Sequence, residues 1–233
     1  MPLAGHSATR RRPRRGRPRA AEVSARIDQL LDIALRLFTE RGYNGTSVGE
    51  IARRADASKQ TLYARFPTKA RLFDEVMRRR GAARDLLFAR ILASDADIRV
   101  VLDRFAEALA AVGLDDKARS LARTMIGESK AFPQLARHYW AFGPQHTLVM
   151  LADYMDRQIR AGVLARRRPG LLAGIFYALC VGRFYQKSVL GIMDRADRAE
   201  YSHYVREAVR VFLAAYRDPR HRGTGRRARG SAG

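Results

Sequence analysis

The chain has 233 residues, 47% of them hydrophobic, and 45 Lys and Arg against 23 Asp and Glu, a formal net charge of +22. That is enough apolar material for one two-part domain or two small domains with a sizeable core. The one cysteine, Cys180, excludes a disulfide framework within the chain and fits a reducing cytoplasm.

Residues 1–20 carry seven arginines and no acid, and residues 217–233 carry six arginines and Asp218, so 10 of the 22 excess charges belong to residues 21–216. A basic excess of this size favours polyanions, nucleic acid first and anionic membrane second. A solvated arginine-rich surface gives the same count. The N-terminus has no apolar stretch behind its charges and does not read as a secretory signal. The longest apolar run, LLAGIFYALCVG, is too short to span a bilayer. Neither tail has the apolar face of a membrane anchor.

In chain order, residues 1–20 and 218–233 are rich in Arg, Gly, Pro and Ala and are expected to be disordered. Ile27, Leu30, Leu31, Ala34, Leu37 and Phe38 then recur at helical spacing. Ser24 is expected to cap that helix, and Gly42 to end it in the left-handed conformation. A short helix follows, capped by Thr46 or Ser47, with Glu50 at capping-box spacing from Ser47 and Val48, Ile51 and Ala52 on its buried side. Ser58 caps a third helix that buries Leu62 and Phe66 and ends at Pro67. Thr68 caps a long fourth helix. Further helices are predicted over 68–93, 97–113, 115–128, 131–162, 169–191 and 196–217, with a break or kink at Pro144 and a C-cap at Gly162. The chain reads as all-α, about nine helices: a helix-turn-helix unit at 21–67 and a helical body at 68–217. No strand pattern and no internal repeat stand out.

Two short helices joined by a tight turn at 54–57 behind a longer first helix make a helix-turn-helix plan. The second offers Lys59, Gln60, Thr61, Tyr63 and Arg65 on the side away from Leu62 and Phe66. Gln60 can pair with adenine, and Lys59 can donate to guanine or to a phosphate. The hydroxyls of Thr46, Ser47 and Tyr63, the helix N-termini and Lys69 suit phosphate oxygens. A small polar helical hairpin with a solvated face is the bland alternative.

The segment ALRLFTERGYNGTSVGEIARRADASKQTLYARFPTKARLFDEV resembles the N-terminal domain of the TetR family of bacterial transcriptional regulators over residues 26–77. The resemblance rests on G-Y-x-x-T-S, I-A, S-K-x-T-L-Y-x-x-F and x-K-x-x-L. It implies that Ser47, Tyr63 and Lys69 hold the DNA backbone and that Lys59, Gln60 and Thr61 face the major groove. Two positions depart from the family pattern. Asp56 stands where glycine is frequent in the turn. Gln60 stands where a small residue is common, which gives this chain a base preference of its own.

Arg15-Gly16-Arg17-Pro18 is the core of an AT-hook, and Arg15 and Arg17 are candidates for the minor groove. A nonspecific polyelectrolyte tail is the other reading. The C-terminal RHRGTGRRARG is not a phosphate loop, since neither a strand nor Gly-Lys-Ser accompanies it.

In such a family the body binds a small molecule and forms a homodimer. Residues 127–143, GESKAFPQLARHYWAFG, resemble AefR- or AcrR-like C-terminal domains, where an acid and a Phe-Pro pair precede an aromatic-bearing helix. Phe105, Met125, Trp140, Phe142, Met150, Tyr154 and Phe176 are candidate linings of a ligand pocket, each equally a core residue, and together they suggest an apolar or aromatic effector. Gly174, Ala178, Gly182, Tyr201, Tyr204, Val205, Ala208 and Phe212 are candidate dimer contacts, or else fill one monomer's core.

His138 and His146 lack the spacing of metal ligands, so no metal is expected. No cofactor motif, nucleophile triad or close acid pair points to an enzyme. Cys180 reads as a core thiol rather than a sensor. The expected function is a dimeric repressor that binds a double-stranded operator in the cytoplasm and is released by a small effector. A nucleoid-type architectural protein using its basic tails is the runner-up.

Overall fold

A computed structural model describes residues 20–220. The expected disordered arm, with Arg15 and Arg17, falls outside them except for Ala20, as do residues 221–233 of the tail. The helices are α1 (Ala20–Arg41), α2 (Val48–Arg54), α3 (Lys59–Arg65), α4 (Lys69–Leu92), α5 (Ile98–Leu114), α6 (Asp116–Glu128), α7 (Pro133–Trp140), a π-helical turn (Ala141–Gln145), α8 (His146–Arg160), α9 (Pro169–Leu190) and α10 (Arg195–Tyr216). α7, the π-turn and α8 run on without interruption. They are the helix expected at 131–162, with the π-helical turn at Pro144, and with that run taken as one the described residues form nine helices. Among the described residues extended backbone pairs only in one isolated bridge, Leu164 with Arg217.

The caps follow from side-chain chemistry. Ser47, Ser58 and Thr68 each accept a hydrogen bond from a backbone N–H three residues on, at Glu50, Thr61 and Arg71. Gly42 and Gly162 have φ of +74° and +72°, the left-handed turn-off that a glycine permits. Ser24 does not cap α1: the helix already starts at Ala20, in a run of good helix formers. Glu50 does not close a capping box either. Its carboxylate lies among Arg41, Arg54 and Arg53 at 2.9, 3.1 and 4.0 Å. At the other end Asp218 is buried, and its N–H donates to the Val163 carbonyl at 2.9 Å, so the packed body runs past residue 217.

Two apolar cores form. The first gathers Leu37 and Phe38 of α1, Ile51 of α2, Leu62 of α3 and Phe73 of α4, and it takes in Leu121 and Met125 of α6 and Leu135 of α7. The helix-turn-helix unit, called the reading unit below, is therefore closed by helices of the body. The second joins α4, α5, α8, α9 and α10 around Phe88, Phe105, Phe176 and Phe212. Arg79 of α4 reaches Asp28 and Asp32 of α1 at 3.0 and 2.6 Å, a further tie between the first and fourth helices.

Four of the candidate dimer residues belong to this second core. Tyr201, Val205, Ala208 and Phe212 are all buried within the monomer, because α10 turns its apolar stripe onto α5 and α9. Gly182 also has an internal role. It breaks α9 with φ +41° and ψ −148°, and an added Cβ would stand 2.7 Å from the Tyr204 hydroxyl. Tyr204 itself is half-buried, its ring 5.1 Å from Phe184. Gly174 has open space where a Cβ would be, and Ala178 is exposed.

Candidate DNA interface and effector cavity

α2 and α3 meet at a turn through Asp56, whose φ of +50° is the left-handed conformation that costs most residues energy. Lys59, Gln60, Thr61, Tyr63 and Arg65 of α3 are exposed, opposite the buried Leu62 and Phe66. Thr61 shares a 2.8 Å hydroxyl contact with Ser58, which holds its side chain at the helix start. Ser47 is exposed beside the first turn of α2, and its hydroxyl proton is not consumed by capping. Lys69 opens α4 half-buried, its ammonium 4.3 Å from the Tyr43 ring centre. Burial pushes Lys69 below the ordinary lysine range, against the pull of Glu128. Thr46 departs from expectation. It is buried, and its hydroxyl lies 2.7 Å from the Gly42 carbonyl and 3.0 Å from that of Leu37, so it braces the turn and is not exposed for a phosphate.

That turn is held from the body. Glu128, the last residue of α6, accepts the Tyr43 N–H at 2.9 Å and the Asn44 N–H at 3.4 Å. Gly42 makes room for it, since an added Cβ would stand 2.1 Å from Glu128 Oε1. Tyr43 stacks on Phe38, meets Phe73 edge-on and touches Phe132, the residue before α7, with ring centres 5.3–5.7 Å apart. Burial, Asp74 and Glu128 together raise the Tyr43 phenol above its ordinary value. Glu128 and Phe132-Pro133 are the acid and Phe-Pro pair of the AefR-like stretch.

A cavity of about 280 Å³ opens where α4, α5, α6, α7, the π-turn, α8, α9 and α10 converge. Its aromatic wall is Tyr139, Phe142, Tyr177, Tyr185 and Tyr201, and its cationic wall is Arg80, Arg84 and Arg119. Phe142 alone of the seven candidate pocket residues lines it. Phe105 and Phe176 fill the second core. Met125 lies in the first core, between α6 and the reading unit. Trp140 is half-exposed on the far side of its helix turn (49% accessible). Met150 and Tyr154 border a separate hollow beside Arg157 and Arg217.

None of the cavity's three arginines stands out from the sequence, and Tyr201 does so only as a candidate dimer contact. Arg80 pairs with Asp115 at 2.9 Å, and Arg84 pairs with Asp85 at 2.7 Å and donates to the Phe142 carbonyl of the π-turn at 2.8 Å. Arg119 contacts Asp116, yet its Nε is buried without a hydrogen-bond partner among the described residues. Burial lifts the Tyr177 phenol to about 12 and raises Tyr139 and Tyr201 as well. These walls present neutral phenols and charged guanidiniums. The available signal is periodic: Met77, Arg80, Gly81 and Arg84 share one face of α4, and Tyr177, Val181 and Tyr185 recur every four residues along α9, across its break at Gly182.

An exposed donor-rich helix behind a tight turn, carried on a helical body with a cavity, defines a helix-turn-helix regulator. Residues 30–76 match the model for bacterial regulatory proteins of the TetR family, and residues 100–218 match the AefR-like transcriptional repressor C-terminal domain. The second match alone spans half of the chain, which therefore belongs to the TetR family of DNA-binding transcriptional regulators.

Among solved structures, a TetR-family regulator from Mesorhizobium loti MAFF303099 is 27% identical, with TM-score 0.73 over 83% of this chain and 98% of that one. The flavonoid-responsive regulator FrrA is 29% identical, with TM-score 0.72 over 84% of this chain and 99% of that one. The transcriptional regulator QacR of Staphylococcus aureus is 44% identical over 50 residues, which cover 22% of this chain and 27% of QacR. The repressor KstR2 of Rhodococcus jostii is 40% identical over 82 residues, 34% of this chain and 39% of KstR2. The match to these two curated relatives thus spans well under half of their length. No helix among the described residues is long and apolar enough to cross a membrane.

Proposed function

We propose that this chain is a dimeric cytoplasmic repressor that leaves its operator when a small, mostly apolar or aromatic effector enters the cavity. One observation carries the reading. α4 starts beside the reading helix at Lys69 and lines the cavity at Arg80 and Arg84, while α6 lines it at Arg119 and grips the α1–α2 turn through Glu128. An occupant of the cavity touches both helices that fix the reading unit.

In this reading Ser47, Tyr63 and Lys69 hold phosphates, and Lys59, Gln60 and Thr61 face the major groove. Arg15 and Arg17 of the arm follow the adjacent minor groove. Two reading helices must sit roughly 34–36 Å apart to meet successive major grooves, which calls for two copies of the chain. The outward faces of α9 and α10 supply the contact, with Gly174, Ala178 and the exposed Leu171 at helical spacing on α9 and Val211 on α10. The effector acts by favouring the DNA-incompetent arrangement, and its leverage equals its differential affinity for the two states. Similarity to a flavonoid-responsive regulator supports an aromatic effector.

The test is selection from a random duplex library at near-physiological salt, with the full chain and with a version lacking residues 1–20. Enrichment of one near-palindrome by both supports a dimer reading sequence through α3. Enrichment of A·T-rich DNA alone by the full chain, and of nothing by the shortened one, would overturn it in favour of an architectural role for the tails.

A further inference from the structure

The cavity's chemistry narrows what it holds, granted that it is the effector site. We infer that the effector is an aromatic acid, its ring packed among the tyrosines and its anionic group bound by Arg119.

Three observations support this. First, the wall is sorted by chemistry. Tyr139, Phe142, Tyr177 and Tyr185 make an aromatic lining, which suits a ring, while Arg80, Arg84 and Arg119 gather on α4 and α6. The volume, about 280 Å³, lies near the lower end for small-molecule sites and suits a ligand of one or two rings.

Second, the lining itself carries three guanidiniums and one acid. Asp115 is the one acid in the lining. Its Oδ1 is already held by Arg80 at 2.9 Å and by the Ala118 N–H at 2.7 Å. Arg84 is committed to Asp85 and to the Phe142 carbonyl. Arg119 is different. Its contact, Asp116, is largely in solvent, whereas its own side chain is 13% accessible. Burial, then the nearby Arg198 and Arg123, press Arg119 below the usual arginine range against the pull of Asp115, and a further anion would ease that.

Third, the Arg119 Nε is a buried donor with no partner among the described residues. Buried donors are almost always paired, so a lining side chain that carries an orphan is under-satisfied and gains from a further acceptor. A guanidinium is the planar group that a carboxylate fits. A neutral aromatic brings Arg119 no counter-charge, and a cationic one meets three guanidiniums. The raised phenols stay protonated, so they do not repel an anion; the Tyr201 hydroxyl already donates to the Cys180 carbonyl at 3.0 Å, which leaves Tyr177 to donate.

The experiment uses the full-length protein and two matched pairs: 4-hydroxycinnamate and 2-naphthoate, each against its methyl ester. Isothermal titration at pH 7.5 gives affinities for the wild type, Arg119→Gln and Arg119→Lys. Thermal unfolding and binding to the selected operator check that the variants fold. At least one acid is expected to bind tenfold or more tighter than its ester. Arg119→Gln should abolish that preference, and Arg119→Lys should keep part of it. Esters that bind as tightly as their acids overturn the acid inference and leave the effector cavity standing. A preference that survives in Arg119→Gln overturns the assignment to Arg119. No binding by acid or ester overturns both the inference and the cavity reading. The wild-type comparison decides the first point even where a variant does not fold.

Discussion

Replacing Glu128 with alanine removes the acceptor for two backbone N–H groups of the α1–α2 turn. The bond from Tyr43 is 2.9 Å and half-buried, while that from Asn44 is 3.4 Å and exposed. The first dominates. A hydrogen bond to a charged acceptor contributes about 1.5–3 kcal/mol, and partial exposure places this one near the lower end, about 1.5–2 kcal/mol. For a chain of this size that lowers Tm by about 3–8 °C. The turn leads directly into Ser47 and α2, so freeing it also loosens one tie between α6 and the reading unit. Thermal unfolding gives the first quantity. Fluorescence anisotropy on the selected operator, with and without effector, gives the second. Coupling of this kind typically changes affinity about 5–150-fold, and Glu128→Ala should shrink that change several-fold. Unaltered Tm together with an unaltered effector response would refute the clamp.

Other outcomes follow from the same geometry. Asp56→Gly removes a left-handed non-glycine residue and an acid beside the reading helix; it should raise Tm and tighten operator binding, as read by unfolding and anisotropy, and a loss of stability would count against the turn strain. Gln60→Ala should relax selection at one base position by about 1–3 kcal/mol, seen on repeating the library selection, whereas Lys69→Ala should weaken all sequences alike and reduce the salt slope by about one. Tyr154, Tyr177 and Cys180 are held up to about 12 by burial. The unfolded chain loses these protons first, near pH 10 for tyrosine and 8.5 for cysteine, so their stabilisation is complete at lower pH and is lost as pH rises towards 12. Each group contributes about 1.4 kcal/mol per pH unit in its window. Urea midpoints at pH 8 and 11 check this, and a flat profile would contradict it.

The reading unit was legible in the sequence because its determinants are local. Ser47, Ser58, Thr68, Gly42 and Pro67 punctuate three short segments, and each cap acts within a few residues of itself. Thr46 was misread for a long-range reason: only the packed turn shows that its hydroxyl faces the Leu37 and Gly42 carbonyls. The cavity was hidden for a related reason. Its wall draws single faces from seven helices, and an arginine at helical spacing looks like solvated surface until another helix covers it. Large apolar residues such as Phe105 and Phe176 drew the eye, yet good packing sends them to the core and leaves tyrosine and arginine to line the space. The same physics explains α10. Tyr201, Val205, Ala208 and Phe212 form a stripe that must be buried somewhere, and sequence alone does not say whether by a partner or by α5 and α9.

α4 is also a rigid lever. Fifteen residues separate Lys69 from Arg84, about 22 Å along the helix axis at 1.5 Å per residue. A tilt of about 5° pivoting at the cavity end moves the Lys69 end by about 2 Å. In a two-fold assembly both arms swing, so the gap between reading helices changes by up to about 4 Å against a groove repeat of roughly 34 Å. A ligand no larger than a ring or two can therefore set a spacing several times its own width.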